Sequence, residues 1–225
     1  AVVRCKVLVE GSLHTSFARE LMMGFGLLSV VVAALLLSRQ KDIKRLFAYS
    51  SVEHMGIITF AFGMGGPVAN FAALLHMTVH SLTKSAIFFA VGHAAQKTGT
   101  QMMAEIRGLI TSSPMLGWGL VLGTLAILGM PPFGVFASEF LILVTAMGEQ
   151  PWATPFLLAA LGLAFAAVLS KVQPMVFGDT TLKPLAHPPA LIPVFVHLAI
   201  GLMLGLYIPP YLDAWYREAA RMIGG

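Results

Sequence analysis

The sequence predicts an all-α integral membrane protein of about six transmembrane helices, and three observations carry that prediction. Of its 225 residues, 57% are hydrophobic and only 11% charged, with a mean hydropathy of +0.84. A soluble domain carries about 25% charged residues, so this chain lacks the polar side chains to cover a water-facing surface. Six apolar segments follow one another, each close to or above the roughly 20 residues that a helix needs to cross a bilayer. The basic residues between these segments gather in alternate loops. Most soluble enzyme classes are excluded on these grounds.

The elements follow in chain order. Residues 1–19 read as the tail of a preceding helix and a loop, because Ala1–Val9 is largely apolar and the first residue is not Met. The sequence is therefore expected to be a piece that lacks its N-terminal part, not a chain with a cleaved signal peptide. Apolar segments then cover about 20–38, 46–64, 68–96, 115–147, 152–177 and 190–212. The third, at about 1.5 Å per residue, exceeds the ~30 Å hydrocarbon core and must tilt or protrude. The fourth carries Pro131-Pro132 near its centre. The second proline removes a backbone donor and clashes with the preceding turn, so the helix is expected to break or kink there. Gly119-x-x-x-Gly123 and Gly201-x-x-x-Gly205 allow close helix approach and carry no functional signal.

Loop charges set the topology. Arg39, Lys41, Lys44 and Arg45 follow the first segment, Lys97 and Arg107 the third, and Lys183 the fifth. The loops after the second and fourth contain no Lys or Arg. The positive-inside rule makes the basic side cytoplasmic and puts both ends of the chain on the outer face. The pI of about 9.4 is explained by these loops, and no nucleic-acid partner is expected. Cys5, the single cysteine, excludes a disulfide framework and a cysteine-ligated iron–sulfur cluster within the chain.

An ionisable group at the bilayer centre costs roughly 2.5–3.5 kcal/mol on insertion scales, so each one needs a reason. His76, His80 and Lys84 are spaced i, i+4, i+8 and stack on one helix face, spanning roughly 12 Å at 1.5 Å per residue. That face should point into protein or a hydrated cavity. The plain alternative is that these side chains only fix helix packing. Histidines at i, i+4 can also chelate zinc. Lys84 on the same face repels a cation and no carboxylate lies within a turn, so no metal site is expected. Glu139 follows the Pro131-Pro132-Phe133-Gly134 break inside an apolar run. It reads as a protonatable relay, with a static pairing to Lys84 as the alternative. Glu53 and His54 sit deep in the second segment. Glu53, Lys171 and His93 rank second as candidates; Lys171 reads as snorkelling its ammonium to the interface, and His197 as packing.

Together these residues resemble the antiporter-like membrane subunits of respiratory complex I, Mrp antiporters and membrane-bound hydrogenases. The resemblance rests on Asp42-Ile43-Lys44-Arg45-Leu46-Phe47-Ala48-Tyr49-Ser50-Ser51 with His54-Met55-Gly56, on His76-x3-His80-x3-Lys84, and on Gly129-Met130-Pro131-Pro132-Phe133-Gly134 with Glu139-Phe140. The runs Ser51–Gly56 and Phe133–Phe140 are most similar to hydrogenase-4, formate-hydrogenlyase-type members. The family fold has two inverted five-helix repeats, the fourth helix of each being broken. The resemblance therefore implies that residues 20–177 are the second repeat, and 178–225 a loop, the final helix and a tail. It implies that His54, His76, His80, Lys84 and Glu139 belong to a central hydrophilic axis. It also implies a multi-pass protein of a bacterial or archaeal cytoplasmic membrane.

The function this implies is proton translocation within a hydrogenase-type, complex I-related redox complex, with protons relayed through buried His, Lys and Glu side chains. Other membrane-arm and hydrogenase or redox subunits, the lipid bilayer, and protons or Na+ are the expected partners. No cofactor is expected, because the chain has no flavin, nickel or cluster ligands, so no redox centre is expected in it. The alternatives are an Mrp-type cation/proton antiporter subunit and a structural membrane-arm subunit without transport.

Overall fold

The structure, a computed structural model, describes residues 2–179 and 190–224. Among them are ten helices: α1 (Val2–Leu13), α2 (Phe17–Arg39), α3 (Ile43–Met64), α4 (Gly66–Thr98), α5 (Leu109–Ser112), α6 (Pro114–Ile127), α7 (Gly134–Glu149), α8 (Thr154–Phe177), α9 (Ile192–Leu206) and α10 (Pro210–Met222). The all-α expectation holds for the described residues. Lys183, one of the basic loop residues, lies outside them.

Local chemistry sets the helix ends. α3 starts at Ile43, three residues before the expected apolar segment at 46, because the Asp42 carboxylate accepts the Arg45 backbone N–H at 3.0 Å and caps the first turn. α4 ends where Gly99 takes a left-handed conformation, φ 73°. The fourth apolar segment divides as expected: α6 stops at Ile127, α7 begins at Gly134, and the break contains Gly129 at φ +65° and the cis Pro131-Pro132 bond. The halves have 14 and 16 residues, roughly 21 and 24 Å at 1.5 Å per residue.

The last segment differs from the expected 190–212. Its helix stops at Leu206, and the chain turns by 75° into α10. Pro209 and Pro210 are the reason: neither has an N–H to donate, and each disfavours the helical conformation in the residue before it. α10 is amphipathic, burying Tyr216 and Ala220 while Arg217, Glu218 and Arg221 face outward.

By length and composition α2, α4 and α8 can each cross a membrane, and α9 with α10 makes a fourth if the bent pair is one span. α3 is one residue shorter than α2 but carries Lys44, Arg45 and Glu53. Large apolar side chains such as Phe25, Leu28, Leu35, Phe156 and Leu158 stand exposed on the outside of the bundle, as a lipid-facing surface requires.

α4 runs through the middle, against α3, α6, α7, α9 and α10. α2 packs on α3 at glycine: a Cβ on Gly26 would fall 2.8 Å from the Gly56 carbonyl, and one on Gly56 equally close to the Gly26 carbonyl. At one end the loops after α2 and α4 are clasped together, with Ile43 N–H donating to Gln101 O at 3.0 Å and Met103 N–H to Lys41 O at 2.9 Å. Two of the basic loops thus lie on one side of the bundle.

Candidate functional site

The histidine face of α4 is sealed inside by its neighbours, and His76, His80 and Lys84 are all buried. α3 brings His54 opposite them, and α7 brings Glu139 and Ser138. His54 Nδ1 stands 3.0 Å from His76 Nε2, so one of the two nitrogens carries a proton that the other accepts. The other His76 nitrogen, Nδ1, lies 2.8 Å from Ser138 Oγ. That hydroxyl also reaches the Val135 carbonyl at 2.9 Å. When it donates there, it accepts from His76 Nδ1–H.

Glu139 completes the chain at its other end. Its Oε1 lies 3.4 Å from His54 Nδ1, and the buried carboxylate pairs with His54 and not with Lys84. This overturns the static Glu139–Lys84 alternative. The carboxylate rests on the backbone of Gly129, whose missing Cβ leaves it room. The helix break is therefore what admits the acid to the bundle centre. Its floor is also shaped by glycine, since a Cβ on Gly205 of α9 would strike the break at Pro132.

The His80 ring sits 5.1 Å from that of His54, and its Nε2 is buried with no partner among the described residues. Lys84 Nζ donates to the Phe47 carbonyl of α3 at 2.8 Å and lies 5.8 Å from the centre of the Phe47 ring. Beside the acid a cavity of about 310 Å³ is bordered by Glu53, His54, Gly129, Glu139 and apolar side chains of α7 and α8. Hydrogen bonds join Ser138 to His76 and His76 to His54, and the Glu139 carboxyl lies 3.4 Å beyond at His54 Nδ1, so titratable groups follow one another from α4 across α3 to α7.

The chain has relatives of known family. The family model described as NADH:quinone oxidoreductase/Mrp antiporter, TM, matches residues 1–170. The chain belongs to that family. Members of the NADH:quinone oxidoreductase/Mrp antiporter family similar to it include a hydrogenase-4 component F homolog of Methylacidiphilum infernorum, 46% identical over 223 residues. That match covers 99% of this chain and 47% of the relative. NADH-quinone oxidoreductase subunit M of Pseudomonas aeruginosa is 34% identical over 90% of this chain and 40% of its own length. Among solved structures, a chain of the membrane-bound sulfane sulfur reductase, an archaeal respiratory membrane complex, superposes with a TM-score of 0.85 at 27% identity. It is matched over 92% of this chain and 43% of that one. The chain thus spans less than half the length of the relatives it matches.

Within this family fold the remaining sequence candidates separate. Glu53 is buried and borders the same cavity. Lys171 does not join the cluster: its ammonium donates to the Leu37 and Ser38 carbonyls at the end of α2. His93 lies half-buried nearer the end of α4, and His197 binds the Pro193 carbonyl one turn back on its own helix. Sequence reasoning missed Ser138, because a serine in an apolar helix ordinarily bonds its own backbone. It also missed buried Lys6, whose Nζ donates to the Phe62 carbonyl at 2.9 Å. The metal argument changes as well, since α7 supplies from across the bundle the carboxylate that α4 lacks.

Proposed function

We propose that the chain is the distal part of a proton-translocating membrane subunit in a hydrogenase-type, complex I-related redox complex. In this reading α3 and the paired halves α6 and α7 are spans as well, making six with α2, α4, α8 and α9. Residues 20–177 then form the second inverted repeat, with the clasped basic loops cytoplasmic and both ends outside. The partners are the membrane-arm and redox subunits that supply electrons and free energy. Moving one charge against 100 mV requires roughly 2.3 kcal/mol.

The observation that carries the proposal is the path Ser138–His76–His54–Glu139. His76 can accept a proton on one nitrogen and release one from the other, and His54 Nδ1, which faces both His76 Nε2 and the Glu139 carboxyl, passes it between them. Glu139 takes up or yields the proton at the cavity, and Lys84 changes the local charge from the far side of His80. The 46% identity to a hydrogenase-4 component F homolog supports the hydrogenase-type assignment over an Mrp-type cation antiporter. The cation is read as a proton because the chain of imidazoles passes protons and not Na+.

The test uses the full-length subunit in its native complex, in inverted membrane vesicles, with Glu139→Gln. Ion uptake and redox turnover are recorded together once assembly is confirmed. Gln keeps the shape and loses the exchangeable carboxyl proton, so uptake falls to background in an assembled complex. Unchanged uptake would sink the relay and leave a structural role for the cluster.

A further inference from the structure

We propose that His54, His76 and Glu139 form a binding site for a zinc-class divalent cation, which competes with the proton for the same imidazole nitrogens. Three helices contribute one ligand atom each, and all three atoms lie within 4.8 Å of one another. The measured edges are 3.0 Å between His54 Nδ1 and His76 Nε2, and 3.4 Å between His54 Nδ1 and Glu139 Oε1. Bonds of about 2.0–2.1 Å in a tetrahedral zinc site place neighbouring ligand atoms about 3.3–3.4 Å apart. Those two edges lie within a few tenths of an ångström of that spacing, and the third, between His76 and Glu139, is no longer than 4.8 Å.

The surroundings are those of a supported site. Ser138 Oγ accepts from His76 Nδ1 and so turns the Nε2 lone pair into the triangle, as the outer partner of a metal-bound histidine does. The adjoining cavity offers the fourth position to water. Two imidazoles and one carboxylate suit zinc better than magnesium or calcium, which prefer all-oxygen sets. The charge also fits: Lys84, the buried lysine on the same face of α4, keeps its Nζ on the Phe47 carbonyl and not on the Glu139 carboxyl. Burial makes a lone carboxylate costly, and a cation held between the imidazoles and Glu139 provides the opposite charge that the bound carboxylate needs. Either a proton or a metal ion supplies it, and each occupies lone pairs that the other needs.

The full-length subunit in its purified native complex, stripped with a chelator, is titrated with radioactive Zn2+, and with Co2+ to record the visible bands of a tetrahedral nitrogen–oxygen site. The wild type binds one more Zn2+ per subunit than His76→Ala, and only the wild type shows the Co2+ bands. Ser138→Ala retains the three ligands and weakens binding by about 10–100-fold, the usual effect of losing an outer-shell partner. His197→Ala binds as the wild type does. Equal Zn2+ binding by wild type, His76→Ala and Ser138→Ala overturns the site. Competition rests on the relay reading and is measured separately, as loss of ion uptake by wild-type vesicles when Zn2+ is added. Binding that depends on His76 and Ser138 without loss of uptake would uphold the site and overturn the competition.

Discussion

Lys84 and Lys171 place their ammonium groups on the same kind of partner, a backbone carbonyl of another helix, for different reasons. Lys171 reaches the carbonyls of Leu37 and Ser38 in the last turn of α2. The final carbonyls of a helix are short of backbone donors, Leu37 O taking only a long bond of 3.3 Å from the Gln40 N–H, and a cation there also meets the negative end of the helix dipole. Lys171 answers a local need of the backbone. Lys84 reaches the Phe47 carbonyl inside α3, which the Ser51 hydroxyl already approaches at 3.2 Å. That carbonyl belongs to a continuing helix and lacks no donor. Backbone satisfaction therefore accounts for the contact of half-exposed Lys171 and leaves that of buried Lys84 to be explained by its titratable neighbours.

Removing the charge from each lysine in turn tests the contrast most severely. In the assembled complex Lys84→Gln abolishes ion uptake, while Lys171→Gln keeps uptake and lowers stability by about 0.5–1.5 kcal/mol, the net worth of an ordinary hydrogen bond. Vesicle uptake and thermal unfolding, measured on the same preparations, read the two effects. If both variants transport normally, the central lysine is as structural as the peripheral one. If both fail, the peripheral site belongs to the transport path and the distinction collapses.

A smaller effect, again confined to the centre, is expected at Gly129. Its φ of +65° is a conformation that residues with a Cβ avoid, and a Cβ there would overlap the Glu139 carboxylate. Gly129→Ala is expected to lose about 1–2 kcal/mol from the left-handed backbone alone. It also pushes Glu139 off the break and away from His54, so uptake drops several-fold while the complex still assembles. Stability lost with uptake intact would show that Glu139 tolerates displacement and that its contact with His54 is not the step that matters.

How far the sequence could be read follows from which of these features are local. The long apolar helices, the i, i+4, i+8 face of α4 and the break at Pro131-Pro132 all follow from periodicity and backbone chemistry within a few residues. So does the placing of Lys171 at the edge. The last apolar run continues past the helix end at Leu206, because the prolines that stop the helix act on backbone geometry and leave the apolar pattern unbroken. The pairing of Glu139 with His54 depends on how α7 leans against α3 after the break, and no spacing within either helix encodes that lean. Ser138 was silent for a related reason. Its bond to its own helix is ordinary, and only the arrival of His76 from α4 makes it the partner of a buried imidazole.

The mildest test belongs at the clasped basic end. Asp42 caps α3 through the Arg45 N–H, while the neighbouring clasp to the loop after α4 uses only backbone groups of Lys41, Ile43, Gln101 and Met103. Asp42→Ala therefore removes the cap and leaves the clasp, lowering stability by about 0.5–2 kcal/mol. α3 also carries His54, so a frayed first turn is the nearest structural disturbance to the centre that changes none of its side chains. Uptake per assembled complex should remain at the wild-type level, because His54 lies three turns further along, where α4 and α7 hold it. A loss of uptake matching that of Glu139→Gln would mean that the basic end feeds protons to the centre, and the line drawn between Lys84 and Lys171 would have to move to include it.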